Sequence, residues 1–593
     1  MDAIERPVAT GNPRMGWASD IAAELLRRQG IKYIALNPGA SYRGFHDSIV
    51  NYLGNQDPQM LLCLHEDHAV AIAHGYAKVT GEPMACVLHS NVGLLHGLMG
   101  IFNAWCDRAP VIVMGATGPV DALLRRPWID WIHTAKDQGA LLRNFTKFDD
   151  EPRSPGAVVE TMLRAVMVAR TKPTGPVYVC LDAGLQETEL TGPIAIPDLA
   201  RYAVPAAPEP SIDALEDAAE WLCAAKNPLI MAGRCALTRE DWDRRVNLAE
   251  LLGAGVMTEL KCGSTFPTEH PLHVAPPFGF MSPPAKEAIK AADVIVALDW
   301  VDLGGSFKQA TGNKDRVAAK IINVSLDSYL HNGWSADHFS LAPADLAVLA
   351  DPDAFVTRLL PMIGGRLKGK SRWDGKPKAA PGPAQPRPAR DPNSRIIPRD
   401  IGIAIAEARG DRKVTITKTA LGWAGEAYPF REPLDCIGSG DGGGLGGGPG
   451  MAVGAGLALK GTGRIPVANL GDGDLLQGGT ALWTAAHYQI PVLFVISNNQ
   501  SNFNDEVHQE NVAKDRARPV ENNWIGMRID DPPVDIAAFA RSQGVKSPAP
   551  VERMGDLVPA IKAGMEAVAA GEPYLIDVRV ERGYSAPIVT RAE

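Results

Sequence analysis

The sequence predicts an α/β protein built from three parallel-sheet domains in succession. Short apolar runs rich in valine and isoleucine recur along the chain, each bounded by glycine, proline or asparagine. Helix-length segments separate these runs, which is the pattern of parallel α/β folds. At 593 residues the chain is also too long for one hydrophobic core.

The apolar runs fall into three regions. The first region, 1–190, contains IKYIALNPG, MACVLHS, PVIVMGA and GPVYVCLD. The second, 208–362, contains NPLIMAG, ADVIVALDW and AAKIINVSLD, and the third, 397–593, contains RIPVANLGDGD, PVLFVISNN and EPYLIDVRVE. Residues 363–396 are rich in proline, lysine and arginine, so we expect a solvated interdomain linker there.

Composition and net charge indicate which kinds of binding partner the protein has. Hydrophobic residues make up 46% of the chain and charged residues 21%, as in globular proteins. A net charge of -9 without a long basic run argues against a nucleic-acid or anionic-membrane surface and favours a small molecule. No apolar stretch suits a signal peptide or a membrane span, so we expect a cytoplasmic protein. The eight cysteines form no C-x-x-C pair and are predicted to be core residues.

The stretch GDGDLLQGGTALWTAAHYQIPVLFVISNN, residues 471–499, has polar residues at both ends of an apolar middle. It predicts the end of one strand, a helix of about fourteen residues and a second strand, with the helix running back over roughly one strand length. In a right-handed crossover, Asp472 and the pair Asn498 and Asn499 then meet at the carboxyl edge of the sheet, where such sheets bind ligands.

The residue types at this edge suit a metal and a phosphate. Carboxylate, amide and carbonyl oxygens are hard donors that match Mg²⁺ or Ca²⁺ better than a soft metal. Gly471 and Gly473 would let a phosphate approach the main chain, and a helix beginning near Asp474 would offer free N–H groups. An ordinary strand-to-helix turn is the alternative, but the asparagine pair after a complete crossover favours the metal site.

G-D-G followed by N-N, with 27 positions from Asp472 to Asn499, resembles the cofactor motif of thiamine diphosphate-dependent enzymes. The resemblance implies that Asp472, Asn499 and the backbone carbonyl of Ser501 hold Mg²⁺ against the diphosphate. The interior ALWTAAHYQIP is similar to benzoylformate decarboxylases more than to acetolactate synthases. Asp474 departs from the pattern, because many relatives have serine there. We expect its carboxylate to turn away, or its N–H alone to contribute.

Two more segments resemble parts of the same cofactor site. LHEDHAVAIAHGYAKVTGEP is similar to the family's pyrimidine-domain signature and implies that Glu66 hydrogen-bonds the aminopyrimidine, which promotes formation of the ylide. A helix-terminal glutamate is the alternative, and H-E-D-H lacks the spacing of the zinc motif H-E-x-x-H. GDGGGLGGGPG could be a flexible linker. Its resemblance to benzoylformate decarboxylases instead implies that Leu445 bends the cofactor while Gly444 and Gly446 admit the backbone.

The segment LHSNVGLLHGLMGIFNAW resembles the same branch, which implies that His89 is a proton-transfer residue facing the substrate. A core or capping histidine is the alternative. The branch has serine directly after the glycine of N-P-G, whereas this chain has Ala40 and only then Ser41. The branch's second active-site histidine has no counterpart here, since His270 and His273 lie elsewhere in the pattern.

The resemblance also implies an organisation. It identifies the three regions as a pyrimidine domain, a central Rossmann-like domain and a diphosphate domain. Glu66 of one subunit would serve the cofactor held by Asp472 of another, so a homodimer with shared active sites is the minimum and a homotetramer is expected. The polar segment 500–526 departs from the branch, and we expect a substrate-covering loop to which Glu506 and His508 contribute.

The expected function is decarboxylation of a 2-oxo acid, dependent on thiamine diphosphate and Mg²⁺, through a C2 ylide and an enamine. An acetolactate synthase-like carboligase, which forms a 2-hydroxyketone or a 2-hydroxy-2-oxo acid, is the enzymatic alternative. A non-catalytic cofactor-binding or regulatory protein of the same fold is the third. FAD, which accompanies some relatives, is possible but not indicated, because the second region has no G-x-G-x-x-G after a strand.

Overall fold

The computed structural model describes residues 5–9, 11, 13–279, 281–312, 316–329, 340–378 and 390–584. Within these ranges the strands form three sheets, of six, five and four strands. Neighbouring strands in each sheet run parallel to one another. The protein is therefore an α/β protein with three parallel sheets, as the sequence predicts.

The first sheet has the strand order β2-β1-β3-β4-β6-β5. Its strands are β1 (Tyr33–Leu36), β2 (Gln59–Leu62), β3 (Met84–Val87), β4 (Val111–Thr117), β5 (Asp149–Asp150) and β6 (Val177–Asp182). Its helices are α1 (Ala18–Arg28), α2 (Arg43–Asp47), α3 (Glu66–Thr80), α4 (Ser90–Cys106), α5 (Ile129–Ile132), α6 (Pro155–Arg170) and α7 (Ala183–Gln186). The chain moves from β1 outward to β2 and then to β3 on the other side of β1. The topological switch point, where such sheets bind ligands, therefore lies between β1 and β3.

The second sheet has the order β11-β10-β9-β7-β8. Its strands are β7 (Pro228–Ala232), β8 (Gly255–Thr258), β9 (Val294–Leu298), β10 (Lys320–Val324) and β11 (Leu346–Val348). Its helices are α8 (Ile212–Ala224), α9 (Arg239–Leu252), α10 (Pro283–Ala291), α11 (Leu303–Thr311) and α12 (Pro352–Arg366).

The third sheet runs in chain order, β12-β13-β14-β15. Its strands are β12 (Val414–Lys418), β13 (Ile465–Gly471), β14 (Leu493–Asn498) and β15 (Tyr574–Arg579). Its helices are α13 (Pro398–Arg409), α14 (Gly447–Leu459), α15 (Asp472–Gly478), α16 (Ala481–His487), α17 (Phe503–Asp515), α18 (Ile536–Ser542) and α19 (Met554–Ala569). Because β13 and β14 are adjacent, the loops that follow them lie side by side.

The crossover between β13 and β14 differs from the prediction of one long helix. Two short helices, α15 and α16, replace it, and the first begins at Asp472. A side chain at Gly478 would lie 1.9 Å from the carbonyl oxygen of Gly446, and one at Gly479 would lie 2.4 Å from the ring of Phe539. Close packing therefore requires this glycine pair, and glycines weaken a helix interior.

The expectation of a covering loop in 500–526 is wrong over half of the segment, because α17 occupies it. Glu506 is buried, accepts a hydrogen bond from Ser501 Oγ and pairs with Arg528 at 3.2 Å. It therefore supports the chain after β14, and the covering role of the segment stays a prediction. His508 lies on the exposed side of the helix.

Part of the predicted linker, 379–389, lies outside the described residues. The described part of the predicted linker starts inside α12, because that helix continues to Arg366. Its next residues are packed on the second region, because the Arg372 guanidinium donates to three main-chain carbonyls at the end of α8, those of Leu222, Cys223 and Ala225. Residues 367–378 are nevertheless mostly exposed, so the solvated linker and the domain boundaries stay predictions.

Helices α3 and α14 join the first and third regions. A side chain at Gly75 would lie 2.0 Å from the carbonyl oxygen of Met451, and one at Gly454 would lie 1.9 Å from that of Ile72. The two backbones therefore touch without intervening side chains. Buried apolar residues of both regions form one continuous core around this crossing. The glycine-rich α14 is thus a packed helix and not a flexible linker.

The prediction that the cysteines are core residues is confirmed for five of the eight, whereas Cys106, Cys223 and Cys262 are partly exposed. All eight are free, and Cys63, Cys86, Cys180, Cys235 and Cys436 are buried. Among the described helices, none combines the length and the apolar character needed to cross a bilayer.

Candidate active site

A cavity of about 600 Å³ opens at the carboxyl edge of the third sheet. The loops after β12, β13 and β14 line it, together with Leu260, Lys261 and the glycine-rich segment before α14. Most of the cofactor-site residues predicted from the sequence line this cavity: Gly444, Leu445, Gly471, Asp472, Gly473, Asp474, Asn499 and Ser501. Gly446 lies directly behind Leu445 as the N-cap of α14, with φ of +99°.

Main-chain hydrogen bonds bring the two ends of the crossover together. Asp472 accepts from the N–H of Gln500 at 2.6 Å and from that of Gly473 at 2.9 Å. Asn499 Oδ1 accepts from the N–H of Ser501 at 2.9 Å. Gln500 adopts φ of +57°, which turns the chain toward Asp472. Asp472 and Asn499 therefore line one cavity although 27 positions separate them.

The chemistry of this set fits Mg²⁺ and a diphosphate. Burial raises the pKa of Asp472 to about 6, because only main-chain N–H groups compensate for its lost hydration. A cation beside such a carboxylate favours its charged form. Carboxylate, amide and carbonyl oxygens are the ligands that Mg²⁺ prefers, with phosphate oxygens completing its shell.

Asp474 serves the glycine-rich loop. Its Oδ1 accepts from the N–H of Gly446 at 2.7 Å and from that of Gly448 at 3.3 Å, so it caps the start of α14. Burial raises the pKa of Asp474, and the charge of Lys418 opposes this shift. The carboxylate is directed at the start of α14, and its orientation relative to a phosphate stays a prediction.

Leu445 is half exposed, with 50% of its surface accessible, although it is a large apolar side chain. A Cβ placed on Gly473 would lie 3.8 Å from its Cδ1, so the leucine faces the G-D-G turn. A side chain at Gly444 would collide with Met99 of α4, which fixes the loop against the first region. The loop thus holds an apolar side chain in the cavity.

Glu66 and His89 lie at a different sheet edge. Glu66 begins α3, and its carboxylate accepts a hydrogen bond from His96 Nδ1 at 3.1 Å. A Cβ on Gly93 would lie 2.8 Å from Glu66 Oε1 and 3.2 Å from His89 Cβ. Glu66 and His89 therefore both lie beside Gly93 of α4. No described residue before Leu260 lines the cavity that holds Asp472. Within one chain, Glu66 is therefore not among the residues that line the cavity of Asp472.

His89 follows β3 at the switch point of the first sheet and precedes α4. Its Nδ1 lies 2.8 Å from Ser41 Oγ, and its ring meets the ring of His133 edge-on with centroids 4.5 Å apart. Gly39 lies beneath the ring, where a Cβ would approach it to 2.4 Å. Burial lowers the pKa of His89, the charge of His133 lowers it further, and Glu66 opposes both.

The sequence patterns missed several residues of this cluster. Ser41 is displaced by one position from the family's serine, yet it contacts His89. His96 and His133 belong to no motif. His65, Glu66 and His96 also bring potential ligand atoms within 4.8 Å of one another. The i+3 spacing of H-E-D-H could not indicate this group, because His96 lies on α4.

Two histidines of the second region contact residues that belong to neither cluster. His270 pairs with Glu250 at 3.1 Å, and His273 hydrogen-bonds Thr258 at 3.0 Å. Burial lowers the pKa of His273 to about 4, so it is neutral at physiological pH. Neither lines the cavity at the third sheet.

Three family models match the chain in the order of its sheets. They are the thiamine pyrophosphate enzyme N-terminal TPP binding domain over 17–141, the central domain over 215–359 and the C-terminal TPP binding domain over 419–578. The chain belongs to the thiamine pyrophosphate enzyme family. This thiamine pyrophosphate enzyme therefore has two domains that bind thiamine diphosphate, and it is either a decarboxylase or a carboligase.

Curated relatives match this thiamine pyrophosphate enzyme over nearly its whole length. A probable acetolactate synthase large subunit of Methanocaldococcus jannaschii is 25% identical, with 95% of this chain and 92% of the relative covered. A benzoylformate decarboxylase of Pseudomonas aeruginosa is 26% identical, with 94% and 97% covered. Identity alone therefore does not separate the two reactions.

Solved structures show the same fold. The benzoylformate decarboxylase of Polynucleobacter necessarius superposes with a TM-score of 0.78 at 21% identity, covering 97% of this chain and all of that one. A thiamine diphosphate-dependent 4-hydroxybenzoylformate decarboxylase of Rhodococcus jostii RHA1 gives 0.75 at 24% identity, covering 96% and 100%.

Proposed function

We propose that this enzyme decarboxylates a 2-oxo acid without oxidation, using thiamine diphosphate and Mg²⁺, in the manner of a benzoylformate decarboxylase. The observation that carries the proposal is that Glu66 and His89 lie against the same glycine of α4, Gly93. A cofactor-activating carboxylate beside a proton-transfer imidazole is what decarboxylation followed by protonation requires.

In the proposed site, the Asp472 carboxylate, the Asn499 side-chain oxygen and the Ser501 carbonyl hold Mg²⁺, while Gly471 and Gly473 receive the diphosphate. Their common position around one cavity supports this assignment. When bound, thiamine diphosphate supplies the electron sink for loss of CO₂.

Leu445 is proposed to support the cofactor between its two rings. The side chain stays in the cavity because Asp474 fixes the N–H of Gly446 behind it and Met99 packs against Gly444 in front of it. Glycines on both sides leave the main chain accessible to the aminopyrimidine.

A second copy of the chain completes the site. The cavity that contains Asp472 has no lining residue from the described first region, while Glu66 and His89 lie at the edge of the first sheet. We infer that Glu66 of the partner subunit enters this cavity in a homodimer, and that two dimers form the homotetramer.

Subunit complementation tests the shared site. Glu66→Gln and Asp472→Asn each remove one half of a site, so each homodimer is expected to be inactive. Co-expression with two affinity tags yields a heterodimer in which one of the two sites has both native residues, and activity should return. Absence of any activity in the purified heterodimer would show that each chain builds its own site.

Carboligation is the second candidate. No histidine of the described second region lines the cavity of Asp472, and His270 and His273 are engaged elsewhere. Fewer proton donors favour attack of the decarboxylated carbon on a second carbonyl compound, the reaction named for the acetolactate synthase relatives.

A panel of 2-oxo acids, including pyruvate and benzoylformate, tests the reaction. Each acid is incubated with enzyme, thiamine diphosphate and Mg²⁺, and the products are identified by mass spectrometry. Aldehyde and CO₂ in equal amounts support decarboxylation, whereas 2-hydroxyketone as the main product supports carboligation. Consumption of no acid at all would refute both.

A further inference from the structure

The proposed decarboxylation moves more than one proton at the substrate. The carbon that loses CO₂ must gain a proton, and the oxygen of the former carbonyl must lose one before an aldehyde leaves. His89 is one group for these transfers. Since His270 and His273 are engaged within the second region, a second group has to come from elsewhere.

His133 is in the right place to be that group. It lies in the segment after β4, while His89 follows β3 and Ser41 lies in the segment after β1, so three neighbouring strands deliver these residues to one sheet edge. The two imidazole rings meet at 4.5 Å with an interplanar angle of 65°. His133 is only partly buried.

The segment that carries His133 is held in a defined shape. Asp130 is buried and accepts from the Arg126 N–H at 2.7 Å and from its guanidinium at 2.8 Å. The carbonyl of His133 accepts from the N–H of Gly118 at 3.3 Å. Trp128 has φ of +66°, which L side chains rarely adopt, and such strain persists only where the surroundings impose it.

The electrostatics divide the two roles. Ser41 Oγ accepts from the N–H of Ser90 at 3.1 Å and lies 2.8 Å from His89 Nδ1. We assign the proton of neutral His89 to Nδ1, which donates to Ser41 Oγ and leaves Nε2 free to accept a proton. Two imidazolium rings in contact repel each other, so the pair holds one proton more readily than two. Burial lowers the pKa of His89 and the charge of His133 lowers it further, although Glu66 opposes both, so we assign the neutral ring of the pair to His89.

We propose that His133 is the second proton-transfer residue of the substrate site, a role that rests on the proposed decarboxylation. The N–H bond of His133 breaks, and its proton forms a C–H bond with the carbon that has lost CO₂. That carbon supplies the electron pair for the new bond. Neutral His89 would take the hydroxyl proton on Nε2 as the carbonyl re-forms, and thiamine diphosphate, when bound, would supply the electron sink for the bond that breaks. Solvent then returns a proton to His133 and removes the proton from His89.

Two assays on His133→Asn separate this role from a structural one. Reduction of the dye dichlorophenolindophenol intercepts the carbon before it is protonated and so reports decarboxylation alone, whereas aldehyde release requires the proton. We expect aldehyde release to fall about 100-fold and dye reduction to change less than about 3-fold. The control His46→Asn, at an exposed position of α2, should change neither.

A third measurement does not depend on turnover. Diethyl pyrocarbonate acylates neutral imidazoles, so the pH dependence of His89 modification, followed by mass spectrometry in the cofactor-free protein, reports its protonation. Loss of the neighbouring charge in His133→Asn should move the midpoint for His89 to higher pH. His133→Gln is the second variant if the first does not fold.

The outcomes are distinct. Equal losses in dye reduction and aldehyde release, or an unmoved midpoint for His89, would overturn the role of His133 while leaving the decarboxylase proposal in place. Native enzyme that is inactive in both assays with every 2-oxo acid would overturn the proposed function itself.

Discussion

The carboxyl edges of the first and third sheets use different parts of the chain to build a site. At the third sheet, main-chain N–H groups position Asp472 and Asp474, and glycines shape the cavity. At the first sheet, side chains position one another, as Ser41 and His133 do with His89. The same architecture thus builds one edge from main-chain contacts, which we call the cradle, and the other edge from contacts between side chains.

Asp472→Asn is the strongest test of the cradle. Asp472 is the only carboxylate proposed as a Mg²⁺ ligand, so its replacement should weaken Mg²⁺-dependent binding of thiamine diphosphate by more than about 100-fold. Loss of a residue that only supports a metal ligand typically costs about 10- to 100-fold in metal affinity. Calorimetric titration with the cofactor measures this. An affinity within about 10-fold of the native value would remove Asp472 from the metal site.

Glu66→Gln should separate catalysis from binding. The amide cannot act as the carboxylate does toward the aminopyrimidine, so we expect turnover to fall by about 10² to 10⁴. Cofactor affinity should stay within about 10-fold of native, because the cradle lies at the other sheet. A loss of binding as large as that of Asp472→Asn would contradict this division of labour.

Gly454→Ala tests the helix crossing that joins the two edges. The added methyl would lie 1.9 Å from the Ile72 carbonyl oxygen, so overpacking should lower the free energy of unfolding by about 1–3 kcal/mol. Gly364→Ala, in α12, is the matched control, because its methyl would meet nothing within 4 Å. Urea unfolding compares them, and equal stabilities would show that α3 and α14 can separate at no cost.

Ser41→Ala should have the smallest effect. It removes one hydrogen bond to His89, so aldehyde release should fall about 2- to 10-fold, in line with a single neutral hydrogen bond. Cofactor affinity should not change. Ser154→Ala, which removes only the cap of α6, should leave turnover as it is. Native turnover in Ser41→Ala would mean that His89 does not need this partner.

The third-sheet site could be predicted because local geometry determines it. Strand, helix and strand lengths bring the ends of the crossover together whatever the surrounding sequence, and Asp472 and Asn499 indeed line one cavity. The break at Gly479 was not predictable, since it depends on contact with Phe539 from a distant segment. The polar sequence of α17 concealed a helix for a similar reason, because its buried Glu506 pairs with Arg528.

The first-sheet cluster could be predicted only in part. Glu66 and His89 stand in segments that resemble family motifs. His133 follows a four-residue helix with no periodic pattern, and its contact with His89 depends on the strand order and on the bonds of Asp130. Side-chain contacts between separate loops leave no spacing rule in a sequence, so His133 and His96 emerged only from the structure.

The backbone contact between α3 and α14 sets a fixed distance within each subunit. One helix starts at Glu66, and the other starts immediately after the loop of Leu445. In a dimer with shared sites, these two helix starts belong to different cofactors. Because no flexible side chain separates the helices at Gly75 and Gly454, their backbones are in direct contact. In the proposed dimer we therefore expect the two helix starts, and with them the two cofactor sites, to move together as one rigid unit.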